Sequence, residues 1–385
     1  NQGLVAYPYI ETTTAPVAGG ILEDMPRLDW SGSCPSLLLE PSRTNLFGYS
    51  EYFGAGWASN DTTITSNTST SPEGLQNATT LADTSTSSFQ QIEYRPSFTA
   101  GASYTLSMFI KKDSDTTRFP EVYFRIYDGG TAQELAVQIN TQTGEKVDRY
   151  KTGTSPESSV VDFSDDYWRL VINATDPNDG NNQLRIYLRP AMSTTIGSTS
   201  ASATGSIVAY GLQLEQDATY PTSYIPTYGV SQTRLDDSFD SNADFTNFFG
   251  DNQGTIYIET DKRLFENVSS NEEFIGFRDG TKYWRIIGSQ SIIFIQCSNW
   301  GSTIIHYPST TNPTKYLFKW DGSNVSFYID GSLIGSATQT ATFNPNQFGR
   351  TGNGVSMDSQ ELLNQFTLFP TALSDSECIA LTTIT

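Results

Sequence analysis

Three stretches place arginine and tyrosine at spacings that could do chemistry: "VYFRIYDGG" (122–130), "YWRLVINAT" (167–175) and "QLRIYLRPAM" (183–192). Strict alternation puts successive side chains on opposite faces of a strand. Val122, Phe124 and Ile126 then share one face while Arg125 and Tyr127 share the other, and Leu184, Ile186 and Leu188 oppose Arg185, Tyr187 and Arg189. In the middle stretch Trp168, Leu170 and Ile172 oppose Tyr167 and Arg169. If the three strands are neighbours, their polar faces join into one surface of guanidinium groups interleaved with tyrosines. Such a surface suits sugar hydroxyls, carboxylates or sulfates and stacks on pyranose rings. The candidate binding residues are therefore Arg125, Tyr127, Arg169, Arg185 and Tyr187. The plainer reading is a solvated face laced with cross-strand pairs, with Asp162, Asp165 and Asp166 close by in sequence. In the second half, Trp300 and Tyr307 lie in the loop-like "CSNWGSTIIHYPSTTNP" and are further stacking candidates, with core burial of Trp300 as the alternative.

Other chemistries find little support. A single histidine, His306, serves all 385 residues, which removes Ser-His-Asp and multi-histidine metal sites. Glycosidases of the concanavalin-like fold need carboxylates closely spaced along one strand, a spacing that Glu272, Glu273 and Glu361 lack. No glycine loop of the phosphate-cradling kind occurs. The expectation is a non-catalytic protein without a cofactor. Calcium is the one metal to weigh: "NATDPNDGNNQ" (173–183) offers oxygens on Asp176, Asp179, Asn181 and Asn182. A polar hairpin turn needs the same residues and is favoured, because the spacing does not match a calcium loop.

Composition narrows the partners. The formal charge of −20 is spread along the chain, and no Lys/Arg cluster stands against it. Such a surface repels nucleic-acid phosphates and anionic lipid, and no apolar run is long enough for membrane insertion. Cys34, Cys297 and Cys378 are odd in number and far apart, so mostly buried thiols are expected rather than a disulfide framework. The chain opens at Asn1 with no charged-then-apolar leader, which reads as a processed form or part of a longer polypeptide.

The elements that must carry the arginines are strands. Short alternating runs rich in aromatic and β-branched residues dominate, such as "SYTLSMFIKK" (103–112), "GTIYIET" (254–260), "YWRIIGS" (283–289) and a meander over "YLFKWDGSNVSFYIDGSLIGSAT" (316–338) with turns at Asp321-Gly322 and Asp330-Gly331. The length calls for two cores. One short helix is expected in "LSDSECIAL", where Ser374 and Glu377 form a capping-box pattern and Ile379 and Leu381 face the sheet. The fold class is all-β, with two antiparallel β-sandwich (jelly-roll) domains in tandem.

Two longer signatures carry a resemblance. "MPRLDWSGSCPSLLLEPSRTNLFGYSEYF" (25–53) resembles the opening segment of modular phage tail and fibre proteins, and "LQLEQDATYPTSYIPTYGVSQTR" (212–234) is similar to the closing segment of the same carbohydrate-binding-module-like jelly roll. Residues 236–385 resemble a laminin-G-like, concanavalin-like sandwich through "FKWDGSNVSFYIDGSLIGS" and "LLNQFTLFPTALSDSECIAL". The division implied is an extended lead-in over 1–45, the jelly roll over 46–228, a linker over 229–235 and the second sandwich over 236–385. In the "YPTSYIPTYG" stretch, Pro221 and Pro226 hold the chain extended, and Tyr220, Tyr224 and Tyr228 are expected to cover a sheet edge or the seam with the next domain. The resemblance implies a virion location on a tail or surface appendage, binding to surface polysaccharide or glycan of a host, other virion proteins as partners, and a homo-oligomer, trimeric in many such appendages. A purely structural virion decoration protein and a polysaccharide-degrading enzyme are the competing readings.

Overall fold

The structure is a computed structural model that describes residues 28–29, 36–237, 248–249, 252–260, 272–279, 282–289, 292–297, 304–308, 314–338, 342–345, 347–349 and 361–384. It is all-β apart from one helix, Asp375–Thr382, among the described residues. Two units emerge, one over 43–234 and one that joins 36–42 to the chain from 235 onward.

In the first unit two antiparallel sheets enclose one core. The six-stranded sheet runs in the order Lys146–Thr152, Gln133–Ile139, Phe119–Tyr127, Gln183–Ser193, Gln91–Tyr94 and Ala58–Asn60. The other runs Glu157–Ser164, Tyr167–Thr175, Ser103–Lys111, Gly205–Gln216, Arg43–Asn45 and Gln232–Arg234, with Ala78–Asp83 also on Gly205–Gln216 and Thr63–Ser69 on Ala78–Asp83. Alternation supplies the core: Val122, Phe124, Ile126, Leu184, Ile186 and Leu188 from the first sheet meet Leu106, Met108, Ile110, Leu170, Ile172 and Leu214 from the second. Each such side chain, fully buried, contributes on the order of 2 kcal/mol.

The closing segment does not run off the sandwich as a free spacer. Residues 218–227 cross the outer face of the larger sheet, where Thr105 Oγ1 donates to Ala218 O at 2.7 Å and the Tyr224 ring meets Phe109 edge-on at 6.4 Å and 90°. Asn45 clasps this segment to the opening one. Its Nδ2 donates to Leu212 O (3.0 Å) and Ile225 O (2.8 Å), and its Oδ1 accepts from the backbone N–H groups of Phe47 and Leu214, each at 3.1 Å. Gln213 Oε1 accepts from Ile225 N at 2.6 Å, and Glu215 accepts from Thr222 N at 3.0 Å. Gln232–Arg234 then pairs in register with Arg43–Asn45, so strands expected in the lead-in and the linker belong to the first unit.

In the second unit one sheet runs Leu28–Asp29, Ser36–Leu39, Glu361–Phe369, Gly254–Thr260, Lys315–Trp320, Asn324–Ile329 and Ser332–Thr338; the other runs Ile304–Pro308, Ile292–Cys297, Lys282–Ser289, Glu272–Asp279 and Gln347–Gly349. Trp284, Phe318, Trp320 and Phe327 lie in the shared core. Within the lead-in expected over 1–45, Leu37 and Leu38 pair with Leu363 and Leu362, because an apolar strand gains more from a sheet edge over a core than from solvent. Asp330 and Gly331 both take positive φ, as a two-residue hairpin turn requires. The Ser374 capping box forms as expected, but Ile379 faces solvent while Cys378 and Thr382 are buried. Burial pushes the Cys378 thiol up to about 11. Cys34 lies outside the described residues, as does the Cys297 side chain.

Two predictions follow from the clasp and its neighbour. Asn45→Ala strands buried backbone groups on both segments and is expected to destabilise the protein by about 3 kcal/mol, read as a lowered midpoint in urea. Beside the clasp, Glu51 accepts from the Tyr224 and Tyr228 hydroxyls at 3.1 and 3.3 Å. Burial and then the Glu73 carboxylate hold Glu51 above the usual glutamate range. A carboxyl with a raised native pKa leaves the folded state with more bound protons than the unfolded one, so its ionisation weakens the fold as pH rises. Unfolding free energies of wild type and Glu51→Gln, compared from neutral pH down to about 4, should shift in favour of wild type as pH falls through the raised value.

Candidate functional site

The outer face of the six-stranded sheet gathers most of the arginine-tyrosine residues read from the sequence. Three cross-strand rows build it. Glu134, Arg125 and Arg185 are successive register partners in one row; Ala136, Tyr123, Tyr187 and Glu93 form the next; Gln138, Glu121 and Arg189 form the third. Arg125, Tyr127, Arg185 and Tyr187 therefore stand together.

The middle row is aromatic. Tyr123 stacks on Tyr187 at 5.8 Å and 29°, and Tyr150 meets Tyr123 edge-on at 6.0 Å and 89°. Tyr187 is the floor of this group rather than a stacking surface, since its side chain is buried; the ring that reaches solvent is Tyr150, 42% exposed on the edge strand Lys146–Thr152. A β-bulge between Ala136 and Val137 leaves Arg149 as the extra residue of that strand and aims it across the face at Glu121.

Charges flank the tyrosines on both sides. Glu121, with no exposed side-chain surface, pairs with both Arg149 and Arg189, the latter at 2.6 Å. On the other flank Arg125 meets Glu134 at 2.8 Å, and the Tyr123 hydroxyl donates to the same carboxylate at 2.7 Å. Arg185 donates through Nε and Nη2 to Gln183 Oε1 at 3.1 and 2.7 Å and stands 3.4 Å from Glu93, which Arg95 also holds at 2.6 Å. The Tyr127 ring is within cation–π reach of both cations, with Arg125 Cζ 4.0 Å and Arg185 Cζ 5.4 Å from its centroid. Burial, then the Glu134 hydrogen bond, pushes the Tyr123 hydroxyl well up. Burial raises Tyr127 too, against the pull of Arg185 and Arg125, so both hydroxyls keep their protons at neutral pH and serve as donors.

One margin of the face is a loop: Gln138 Nε2 donates to Ser198 O at 2.6 Å and its Oε1 accepts from Gly197 N at 2.7 Å. At the opposite end, Asp179 takes the Thr131 N–H at 3.0 Å. Asp176 accepts from Gly101 N (2.7 Å), Asn178 N (3.1 Å) and Asn181 Nδ2 (2.9 Å). Of the oxygens weighed as calcium ligands, those of Asp176 and Asp179 accept N–H donors at these turns, while Asn181 Oδ1 is buried without a hydrogen-bond partner among the described residues. Among the described residues no group of three or more His, Cys, Asp and Glu is placed to hold a metal.

Arg169 does not join the site. Tyr167–Thr175 belongs to the other sheet, where Tyr167 is buried and Arg169 Nη2 donates to Ser107 Oγ (3.1 Å) and Thr222 O (2.7 Å), holding the closing segment. Trp300 lies outside the described residues, and Tyr307 lies in Ile304–Pro308 with its side chain outside them. Tyr150, Arg149, Glu121 and Glu134 were missed: the bulge hides the first two from an alternation argument, and the glutamates read as ordinary strand charges.

The fold and site together define a tandem β-sandwich protein with an arginine-tyrosine sheet face. No family model matches the sequence. No curated protein matches it either. Among solved structures, the CBM40 module of the Ruminococcus gnavus IT-sialidase is 18% identical over 34% of this chain and 82% of its own, with a TM-score of 0.27. Its form bound to α2,3 sialyllactose gives 17%, 37%, 84% and 0.28. Mouse laminin α1 domains LG4-5 are 9% identical over 94% of this chain and 96% of theirs, with a TM-score of 0.24.

Glu121→Gln is expected to destabilise the protein by about 2 to 3 kcal/mol in chemical denaturation, because it leaves two guanidinium groups around a neutral buried amide; partial exposure of both arginines keeps the loss at the low end.

Proposed function

We propose that this chain is a non-catalytic glycan-binding protein of a phage tail, fibre or other virion-surface appendage, and that the outer face of its six-stranded sheet is the ligand platform. The observation that carries the glycan reading is the combination of an exposed Tyr150 ring, set on a stacked tyrosine floor, with guanidinium donors in fixed positions on both flanks. Aromatic faces pack against the C–H faces of sugar rings, and fork-shaped donors meet hydroxyl and acidic oxygens. The appendage reading is supported by the resemblance of the opening and closing segments, whose residues Asn45, Leu212 and Ile225 are joined by hydrogen bonds in one clasp. Partners of this reading are a host surface polysaccharide, other virion proteins and further copies of the chain.

A glycan array probed with the full chain tests the first part. Wild type should bind at least one glycan class, and Tyr150→Ala, on an edge strand and therefore well tolerated by the fold, should weaken that binding about tenfold. Binding unaffected by the variant would move the site off this face. No binding to any glycan by folded protein would leave a structural role. Immunogold labelling of phage particles with antibody to the chain tests the location.

A further inference from the structure

Within the arginine-tyrosine face the charges are not equivalent, and the difference assigns a chemistry to one end. This inference rests on the glycan reading above. Arg149 and Arg189 both close at hydrogen-bond distance on the buried Glu121, so each guanidinium at that end already has a direct carboxylate partner. Arg125 and Arg185, by contrast, are direct cross-strand partners. Like charges directly opposite each other destabilise a sheet, and here the offset is uneven: Arg125 has Glu134 at 2.8 Å, whereas the carboxylate contact of Arg185 is the longer one to Glu93 at 3.4 Å. Neither side chain is sealed off: Arg125 is 25% exposed and Arg185 23%.

Compensation is weakest at Arg185. Its two short hydrogen bonds go to one neutral atom, Gln183 Oε1, and its carboxylate contact, 3.4 Å to Glu93, is shared with Arg95. Gln183 Oε1 also accepts from the Tyr127 hydroxyl at 3.1 Å, which pins the amide and, through it, the plane of the guanidinium. The Tyr127 ring lies within cation–π reach of both, Arg125 Cζ at 4.0 Å and Arg185 Cζ at 5.4 Å from its centroid, while Arg125 turns Nε and Nη2 to Glu134.

We propose that the Arg125–Arg185 pair, with Tyr127 and Gln183, is the subsite for the carboxylate of an acidic sugar, the rest of the glycan extending along the tyrosines toward Tyr150. A carboxylate supplies the planar, bidentate acceptor that the fork of Arg185 lacks, and its charge relieves the repulsion across the register pair. The attraction is local, since the chain as a whole is strongly acidic, and a Debye length of about 8 Å at physiological salt limits the distant charges.

The experiment immobilises glucuronate-, galacturonate- and N-acetylneuraminate-terminated glycans beside copies whose carboxyl has been reduced to the alcohol, with sulfated neutral glycans alongside, and measures binding of the full chain. Wild type should bind one acidic glycan at least about tenfold tighter than its reduced copy. Arg185→Gln should erase that preference, bringing the acidic glycan and its reduced copy to about equal affinity. Arg185→Lys, which keeps the charge but not the fork, should recover only part of it. Unfolding midpoints of both variants within a few degrees of wild type exclude a folding defect; if Arg185→Gln does not fold, the wild-type comparison of acid with reduced copy still decides. Equal binding of acid and reduced copy would overturn the carboxylate subsite and leave the glycan reading standing. Binding of sulfated glycans alone would overturn it too, while no binding to any glycan would bring down both readings.

Discussion

The register between Phe119–Tyr127 and Gln183–Ser193 governs both faces of the six-stranded sheet. With Phe124 opposite Ile186 and Arg125 opposite Arg185, Val122, Phe124, Ile126, Leu184, Ile186 and Leu188 enter the core, and the arginines and tyrosines of the two strands take the other face. A slip by one residue would bury guanidinium groups and expose Phe124, Ile126 and Leu188, at a penalty no surface pairing could offset. The core thus enforces the register, and the register sets the spacing of the polar face. Core packing and the geometry of the polar face share one constraint, and the outer face inherits its precision from the inner one.

The second constraint is closure. A sandwich whose first and last strands are short needs something beyond ladder bonds to keep them in place, and the Asn45 amide satisfies backbone groups of the opening segment, the penultimate strand and the closing segment at once. The prolines of the closing stretch remove donors that would otherwise need partners on the sheet's outer face. The tyrosines play unequal parts: Tyr224 packs on Phe109 with its hydroxyl on Ser50 and Glu51, whereas Tyr228 stays largely exposed. The aromatic staple is real, but it fastens the first unit to itself.

What could be read in advance follows from how local each signal is. Alternation is a property of one strand, so the all-β class, the core residues of Phe119–Tyr127 and Gln183–Ser193, the helix cap at Ser374 and the Asp330-Gly331 turn were legible. Which strands are neighbours is not local. Tyr167–Thr175 has the same pattern as its two look-alikes and sits in the opposite sheet, which takes Arg169 out of the site. Ser36–Leu39 read as a lead-in because nothing in its own residues names its partner, Glu361–Phe369, more than three hundred positions away. Arg149 and Tyr150 were invisible for a different reason: they are adjacent, and only the bulge puts both on one face.

The glutamates between the arginines have a consequence for how such a face changes. Because Glu121 holds Arg149 and Arg189, and Glu134 holds Arg125 and Tyr123, the side chains are ordered before any ligand arrives, and their rotamer entropy is lost on folding rather than on contact. The same lattice resists alteration at its carboxylates, since replacing Glu121 takes the partner from Arg149 and Arg189 and replacing Glu134 takes it from Arg125. Change in the shape of the face is therefore channelled to the positions outside the lattice, Tyr150 on the edge strand and the loop along Gln138, where a substitution does not unbalance charge.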